Sequence, residues 1–356
     1  MTMARRSERW AGEWLITAIW HCRLCWPRGK AWFKSLAMKR ILFITSTRIG
    51  DAVINSGVLD YLVRQWPDAK ITIACGPLAQ PVLENTPGLE RLIVVRKKPV
   101  GLHWFGLWRR VVTRRWDLIV DLRGSAIAYL LLSAQRRVLK STRVKMHKVR
   151  EAAGVLRLDP PPAPRIYLTD DARERALGWM PPGRDWLAVC PSASLPFKMW
   201  PATHFAEVVK ALVSPGGAMA GAGVVIVGGP GDEAHAVPIR NALPDRGVLD
   251  LTGKLYLSDV AAVVERARLF IGNDSGLMHM SAAMGTPTLG LFGPSDEILY
   301  GPYGEQCATV RGPRGLEETK TQFPDWRHHP SSLLEDLSID AVLEASKRLL
   351  ERTEET

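Results

Sequence analysis

A carboxylate follows the first regular segment of the chain at a tight turn. The apolar strand predicted over residues 40–45 leads into Arg48, Gly50 and Asp51. Gly50 permits the turn, and Asp51 lies at the start of the helix predicted to follow. An aspartate at this position can cap the helix, and beside a substrate hydroxyl it can take the proton as a general base. The motif by itself leaves both roles open.

A second cluster combines hydroxyl groups with a cation. The strand predicted over 186–190 is followed by Ser192 and Ser194, and then by Lys198 between bulky apolar residues. Small residues and hydroxyls can line a polar cleft, and a lysine among apolar neighbours is poorly solvated unless an anion lies close by. We therefore expect an anion-binding loop here, with an exposed loop lysine as the alternative.

A third cluster opens a helix in the last third of the chain. A predicted strand ends in a glycine-bearing turn that includes Asp274. The next helix begins at about Ser275, followed by Gly276 and Leu277, with His279 one turn further on. Backbone N–H groups at such a helix start converge where the macrodipole favours anions, which suits a diphosphate. The alternatives are a capping role for Asp274 and a packed core position for His279.

A glycine-rich turn precedes a further carboxylate. Residues 228–231 follow a predicted strand, and Glu233 comes two positions later. This carboxylate can hold the hydroxyls of a ribose, or it is an ordinary acid in the first turn of a helix. No G-x-G-x-x-G turn follows the first strand, which disfavours a dinucleotide cofactor. No two aspartates are separated by one residue, and Cys22 and Cys25 have no second cysteine pair at the spacing of zinc ligands, which disfavours a metal site. We expect neither a metal nor another cofactor.

Alternating strands and helices must position these clusters. Continuously apolar strands are predicted at 40–45, 71–75, 92–95, 117–121, 186–190, 224–227, 269–271 and 288–291. Segments of helical length separate them, including 127–135 and a helix over 260–266 capped by Ser258 or Asp259. Apolar strands of this kind are buried on both faces, which indicates doubly wound parallel α/β sheets that bind ligands at the carboxyl ends of their strands.

A proline-rich segment divides the chain into two such units. Residues 159–164 read DPPPAP, which neither a helix nor a central strand can contain. We expect an N-terminal Rossmann-like domain over 38–158, a linker over 159–183, a second Rossmann-like domain over 184–337 and a C-terminal helix over 338–356.

The charge is distributed unevenly between the two halves. Residues 1–150 hold 28 Lys and Arg against 9 Asp and Glu, a formal charge of +19, whereas residues 151–356 hold 19 against 27, a formal charge of −8. The basic half suits an anionic membrane surface, a phosphorylated substrate or nucleic acid, although no nucleic-acid motif accompanies the charge. The chain has no apolar run of bilayer-spanning length, and its five scattered cysteines indicate a reducing compartment.

The first 37 residues differ in composition from the rest. Five of the 13 tryptophans lie there among seven Lys and Arg, and the apolar stretch is too short for a membrane anchor. Mixed Trp and Arg suit a segment in the interfacial region of a membrane. The alternative is that translation begins at Met38.

The combination of clusters resembles glycosyltransferase family 9, the ADP-heptose:lipopolysaccharide heptosyltransferases. The resemblance extends from about residue 38 to about residue 315 and is most specific in Gly50-Asp51, in Lys198-x-Trp200-Pro201 and in Asp274-Ser275-Gly276-Leu277-x-His279. It implies a GT-B fold, in which two Rossmann-like domains face a central cleft. It also implies inverting transfer of a heptose from ADP-heptose to the lipopolysaccharide core. Gly57 stands where the family commonly has proline.

The resemblance assigns a role to each cluster. Asp51 is the general base, with Arg48 and Gly50 on the acceptor side, and Lys198 lies near the donor diphosphate. The remaining residues expected to bind the donor are Ser192, Ser194, Glu233, Asp274, Ser275, Gly276, Leu277 and His279. The acceptor is a phosphorylated, lipid-linked glycan, so we expect a cytoplasmic enzyme peripherally associated with the inner membrane and with no nucleic-acid partner.

Three alternatives remain at this point. The same fold could use another nucleotide sugar or a non-lipopolysaccharide acceptor. A non-catalytic homologue could use its basic face to bind a membrane surface, although the joint presence of Asp51 and Lys198 argues against it. A nicotinamide-dependent dehydrogenase is disfavoured because the G-x-G-x-x-G turn is missing.

Overall fold

The computed structural model describes residues 40–140, 142, 144–244 and 247–354. The prediction of a basic, Trp-rich extension over residues 1–37 lies outside these residues. The part described consists of two parallel sheets, one in each half of the chain, with helices on both faces of each sheet.

The first sheet has the spatial order β3-β2-β1-β4-β5. Its strands are β1 (Arg40–Ile44), β2 (Lys70–Cys75), β3 (Leu89–Val94), β4 (Trp116–Asp121) and β5 (Ser133–Val138). Every neighbouring pair is parallel, and Ile41 of β1 lies opposite Ile71 on one side and Leu118 on the other. The strand order reverses between β1 and β4, which opens a crevice at their carboxyl ends.

The second sheet has the order β11-β10-β9-β6-β7-β8 and is also parallel throughout. Its strands are β6 (Trp186–Cys190), β7 (Gly223–Ile226), β8 (Leu249–Asp250), β9 (Leu269–Asn273), β10 (Thr288–Phe292) and β11 (Cys307–Arg311). Here the order reverses between β6 and β9. The clusters at 192–198 and 274–279 follow these two strands, so the topology brings them together.

The helices connect successive strands and complete the layers. The helices are α1 (Ile49–Gln65), α2 (Gln80–Leu83), α3 (Leu102–Val111), α4 (Lys148–Gly154), α5 (Asp170–Trp179), α6 (Ala202–Val213), α7 (Glu233–Ala242), α8 (Leu257–Glu265), α9 (Gly276–Ala283), α10 (Glu297–Tyr300), α11 (Leu316–Gln322) and α12 (Ile339–Glu354). Each sheet has a buried apolar core, which includes Trp116 in the first domain and Trp200 and Phe205 in the second.

The prediction of a helical segment over 127–135 is wrong. Residues Ala126–Leu130 form a 3₁₀ turn, and the edge strand β5 begins at Ser133. The sequence of β5 is SAQRRV, so it lacks the continuous apolar run of a strand buried on both faces. Its arginine Arg136 donates from Nε and Nη2 to the carbonyls of Ala128 and Leu131, which ties the turn to the strand.

The proline-rich segment lies directly on helix α1. A Cβ at Gly57 would come within 2.4 Å of the Pro162 carbonyl oxygen and 2.7 Å of the Ala163 carbonyl oxygen. The backbone N–H of Arg165 donates to Ser56 Oγ at 2.9 Å. Glycine at position 57 therefore admits the linker backbone against the helix.

The segment predicted as a linker over 159–183 contains the helix α5. Thr169 caps this helix, and Arg175 on its surface binds Asp259 at 2.6 Å. The helix predicted over 260–266 is α8. The prediction that Ser258 or Asp259 caps it is wrong, because α8 begins at Leu257 and Tyr256 holds the N-cap position. Asp259 instead joins α8 to α5.

Candidate active site

Asp51 lies in the first turn of α1, where the crevice of the first sheet opens. The N-cap position belongs to Arg48, so the capping role considered for Asp51 is wrong. Burial raises the pKa of the Asp51 carboxyl, and the cations of Arg48, Arg123, Lys148 and Lys198 act against this rise. Lys198 belongs to the second domain, so the carboxylate faces charge from both sides of the cleft.

Lys198 forms a short ion pair with Asp274. The Nζ–Oδ2 distance is 2.5 Å, and the two side chains are 23% and 8% exposed. The alternative of an exposed loop lysine is therefore wrong. Lys198 ends a 3₁₀ turn over Pro196–Lys198, and Asp274 follows β9, so the pair joins the loops after β6 and β9. An ammonium has three donors, so Lys198 can keep this bond and still bind an anionic ligand.

Asn273 holds the loops after β6 and β9 in place, and it was not predicted from the sequence. Its side chain is fully buried, its Oδ1 accepts from the Trp200 backbone N–H at 2.9 Å, and its Nδ2 donates to the Pro191 carbonyl at 2.9 Å. The Trp200 indole N–H donates to the Leu337 carbonyl at 2.9 Å. Because buried polar groups must be paired, these bonds fix the loop that carries Lys198. The one available signal was the position of Asn273 next to Asp274.

The first turn of helix α9 follows Asp274 and lies at the same end of the second sheet as Lys198. Ser275 is its N-cap, and the Met278 N–H approaches Ser275 Oγ at 3.5 Å. Gly276 and Leu277 follow, so their backbone amides lie in the turn whose N–H groups have no partner within the helix. His279 is buried, and burial lowers its pKa to about 4 despite the nearby Asp274 carboxylate. Its imidazole is therefore neutral at pH 7.

The first turns of α1 and α9 meet at two glycines. A Cβ at Gly50 would lie 3.0 Å from His279 Cδ2 and 3.6 Å from the Cα of Gly276. A Cβ at Gly276 would lie 2.9 Å from both Cβ and Cγ2 of Ile49. Gly50 lies inside the first turn of α1 and its φ is not positive, so its expected role in a tight turn is wrong; it instead allows contact with the second domain. This contact brings Asp51 to the helix start that was predicted to bind phosphate.

A second set of hydrogen bonds, at the carboxyl ends of β6 and β7, involves Ser192 and Glu233. Ser192 Oγ donates to Asp232 Oδ2 at 2.6 Å, and the Gly229 N–H donates to the same oxygen at 2.8 Å. Asp232 was not predicted, although it directly precedes Glu233. Glu233 begins α7 and accepts a bond from the Gly231 N–H at 3.2 Å.

Two further residues complete this part of the site. Ser194 is exposed on the loop after β6. Thr252 Oγ1 is buried and finds no hydrogen-bond partner in the part of the chain that the structure describes, and its methyl group would lie 2.9 Å from a Cβ at Gly228. The glycine therefore keeps the turn open beside a hydroxyl that a ligand could satisfy.

A basic cavity of about 460 Å³ lies on the first-domain side of the cleft. It is lined by residues that include Arg48, Arg96, Lys97, Arg123 and Trp104. Arg123 also stacks over the Trp104 ring, 5.7 Å from its centroid. Of these residues only Arg48 was predicted as part of a site. The excess of Lys and Arg in residues 1–150 was the signal for the other three cations, and no signal pointed to Trp104.

Asp121 holds the turn that carries Arg123. This carboxylate is fully buried at the end of β4 and accepts from the backbone N–H groups of Arg123 and Ser125, each at 2.8 Å. Ser125 Oγ donates to it at 2.6 Å. Burial raises the pKa of Asp121, and these bonds act against the rise. Asp121 is therefore a structural anchor for the cavity wall.

A short segment before α4 bridges the two domains. Lys145 forms an ion pair with Asp296 at 2.7 Å, and His147 Nε2 lies 2.9 Å from the Gly301 carbonyl oxygen. Lys148, the first residue of α4, binds Glu151 at 2.5 Å and contributes to the potential at Asp51. Sequence reasoning missed Lys148, because only the folded chain brings it near Asp51.

The part of the chain that the structure describes contains neither a candidate metal cluster nor a helix that could span a bilayer. No group of three or more His, Cys, Asp or Glu side chains in residues 40–140, 142, 144–244 and 247–354 could hold a metal ion. No helix within these same ranges has the length and apolar character needed to cross a bilayer.

Comparison with known proteins agrees with the family resemblance. The family model of glycosyltransferase family 9 (heptosyltransferase) matches residues 122–324. Lipooligosaccharide heptosyltransferase 2 of Haemophilus influenzae is 24% identical, over 87% of this chain and 99% of its own length. Lipopolysaccharide heptosyltransferase 3 of Escherichia coli is 25% identical, over 71% of this chain and 83% of its own length.

Solved structures give the same architecture. A family 9 glycosyltransferase of Veillonella parvula has a TM-score of 0.69 at 22% identity and covers 89% of this chain and 99% of its own. The Escherichia coli ADP-heptose lipopolysaccharide heptosyltransferase II has a TM-score of 0.67 at 22% identity, covering 88% and 99%. The expected GT-B fold is therefore confirmed. The chain belongs to glycosyltransferase family 9 and is a glycosyltransferase.

Proposed function

We propose that this enzyme transfers a heptose from ADP-heptose to the lipopolysaccharide core or a related glycan, with inversion at the anomeric carbon and without a metal ion. The names of the relatives support the donor and acceptor classes. The observation that carries the mechanism is the position of Asp51, which faces Lys198 and the first turn of α9 across the Gly50–Gly276 contact.

In the proposed reaction Asp51 acts on the acceptor side. Its ionised carboxylate takes the proton of the acceptor hydroxyl as the oxygen forms a bond to the anomeric carbon of the donor. Attack from the face opposite the leaving group inverts the anomeric configuration. The bond from the anomeric carbon to the diphosphate oxygen breaks, and its electron pair leaves with ADP.

The second domain stabilises the leaving group. Lys198 and the first-turn amides of Gly276 and Leu277 surround the position at which negative charge develops on the diphosphate. Asp274 holds Lys198 in place through the 2.5 Å ion pair. Glu233 and the Ser192–Asp232 network are placed to bind the ribose and the nucleoside end of the donor, with Ser194 at the exposed edge.

The first domain binds the acceptor. The cavity bordered by Arg48, Arg96, Lys97 and Arg123 provides cations for phosphate groups on a lipid-linked glycan. We propose that the enzyme acts in the cytoplasm, peripherally associated with the anionic leaflet of the inner membrane, where such an acceptor is anchored.

The donor is tested by calorimetric titration with ADP-heptose, UDP-sugars and GDP-sugars. We expect ADP-heptose to bind at least about tenfold more tightly than the others, because each 1.4 kcal/mol of contact to the base and sugar gives a factor of ten. Lys198→Met should weaken ADP-heptose binding, whereas Lys210→Met, on the far end of α6, should not. Preference for a uridine donor would overturn the assignment.

The stereochemistry and the absence of a metal are tested on the product. We expect NMR of the purified product to show an anomeric configuration opposite to that of the donor, and transfer to continue at full rate in excess EDTA. Retention of configuration would rule out single displacement by an acceptor activated by Asp51. Loss of transfer in EDTA, with recovery on adding a divalent cation, would show that a metal takes part.

A further inference from the structure

Helix α3 has one face in the protein and one face in solvent. Leu107 and Val111 are buried in the core of the first domain, and Trp104 and Trp108 pack against the same core. The opposite face carries Leu102 and Phe105, which are 58% and 57% exposed. Because large apolar side chains are costly to leave in water, this face requires an explanation.

Exposed apolar side chains continue beyond the helix. Val100, just before α3, is 99% exposed. The Phe105 ring stacks on Trp108 with a centroid distance of 5.8 Å, and the Trp108 indole N–H donates to the Leu130 carbonyl at 3.3 Å. These contacts join two groups of exposed residues into what we term the apolar patch: Val100, Leu102, Phe105, Tyr129, Leu130 and Leu132.

Cations border the apolar patch. Residues 96–115 contain seven Lys and Arg and no Asp or Glu. Arg96, Lys97 and Lys98 are exposed before the patch, and Arg109 and Arg110 are exposed on the next turns of α3. An apolar surface of this kind, with arginines and lysines beside it, is complementary to an anionic lipid monolayer, whose interior is apolar and whose headgroups are negative.

The apolar patch also adjoins the basic cavity. His103 and Trp104 of α3 line this cavity, and so do Arg96 and Lys97. The same short helix therefore contributes one surface to the cavity and another to solvent. A glycan whose lipid remains in the bilayer can enter the cavity only if this side of the domain lies at the membrane.

We propose that the apolar patch inserts into an anionic lipid monolayer and thereby places the basic cavity over a membrane-anchored acceptor. Leu102 and Phe105 enter the acyl region, and Arg109, Arg110 and the lysines contact the headgroups. This proposal rests on the proposed function, in which the acceptor is lipid-linked and the enzyme lies at the anionic leaflet, and it adds the surface that docks. A protein partner on this surface is the competing occupant.

The test uses the full chain and vesicles of phosphatidylcholine with and without phosphatidylserine. The double variant Leu102→Glu/Phe105→Glu should bind the anionic vesicles at least about tenfold more weakly than the unmodified chain, because two charges must then enter the apolar region. The control Leu177→Glu changes a 45% exposed leucine on α5, outside the patch, and should bind normally. Binding of the unmodified chain should weaken as salt rises.

Kinetics separate docking from chemistry. With a deacylated, water-soluble acceptor the double variant should match the unmodified chain in kcat and KM, whereas with acceptor embedded in vesicles its KM should rise at least about tenfold. Unchanged vesicle binding in the double variant would overturn the proposal, and so would equal losses with both acceptors, which would indicate a catalytic or protein-binding role. Failure of all transfer, with vesicle binding still dependent on the patch, would overturn the proposed function alone.

Discussion

Two opposing electrostatic effects act on the pKa of Asp51. Burial disfavours its charged form and raises its pKa, whereas four cations favour the charged form. A general base needs both influences, because it must be ionised before the reaction and must still bind a proton firmly during it. Two of the cations, Arg48 and Lys198, were predicted as site residues from the sequence. Arg123 and Lys148 were not, because no spacing in the chain indicates that the fold brings them to Asp51.

Lys148 gives the prediction that belongs to this scale. Lys148→Met removes a cation that lowers the pKa of Asp51, so this pKa should rise further above its usual value. The base works only when deprotonated, so the acid limb of the kcat/KM profile should move to higher pH, with little change at alkaline pH. The control Lys140→Met removes an exposed lysine of the same domain and should leave the profile unchanged. An acid limb that stays in place in Lys148→Met would show that Lys148 does not act on the base.

Two helix N-termini from different domains meet at the cleft. Gly50 of α1 and Gly276 of α9 are the residues at which their backbones approach. Because neither has a side chain, Asp51 and the first turn of α9 can face one ligand. The sequence indicated both helix starts as separate sites. The contact between them follows only from the fold.

The close approach predicts that Gly276→Ala impairs transfer. The added Cβ would lie 2.9 Å from the Cβ of Ile49 and 3.3 Å from the backbone nitrogen of Gly50, so the two helix starts must separate. Displacements of this kind can cost about 10²-fold in rate, and we expect a fall of that order in kcat/KM.

The matched control for this variant is Gly178→Ala in α5. A Cβ there meets nothing within 4 Å, so it should leave transfer unchanged and stabilise the protein by about 0.4–1 kcal/mol in thermal denaturation. Normal kcat/KM in Gly276→Ala would show that the contact of the two helices is not required.

Strand position explains which elements could be predicted. The central strands β1, β4, β6 and β9 are buried on both faces, so their apolar runs were recognised. Among the edge strands, β3 was predicted over 92–95, whereas β5, β11 and the two-residue strand β8 were missed. An edge strand has one neighbour and is partly exposed, so its sequence need not be continuously apolar. The candidate site lies at the ends of these central strands, so the residues predicted for it follow strands that the sequence pattern indicates.

In the proposed function the charge asymmetry corresponds to two different ways of binding anions. The first half of the chain, at +19, supplies a cavity bordered by several arginines and lysines. In the proposed function the second half, at −8, binds an anionic nucleotide against its net sign. It would do so through Lys198 and the backbone amides of α9, which act at short range. In the proposed function the bulk charge of the first half serves the membrane and the acceptor.

The most direct test of the account is transfer by Asp51→Asn, measured in a single turnover with saturating donor. We predict that the rate falls by about 10³-fold, while the ADP-heptose Kd measured by calorimetry stays within about threefold, because the base acts on the acceptor and does not hold the donor. Asp68→Asn, at the turn that follows α1, should retain full activity. Transfer by Asp51→Asn at close to the unmodified rate would contradict the assignment of the base and the mechanism built on it.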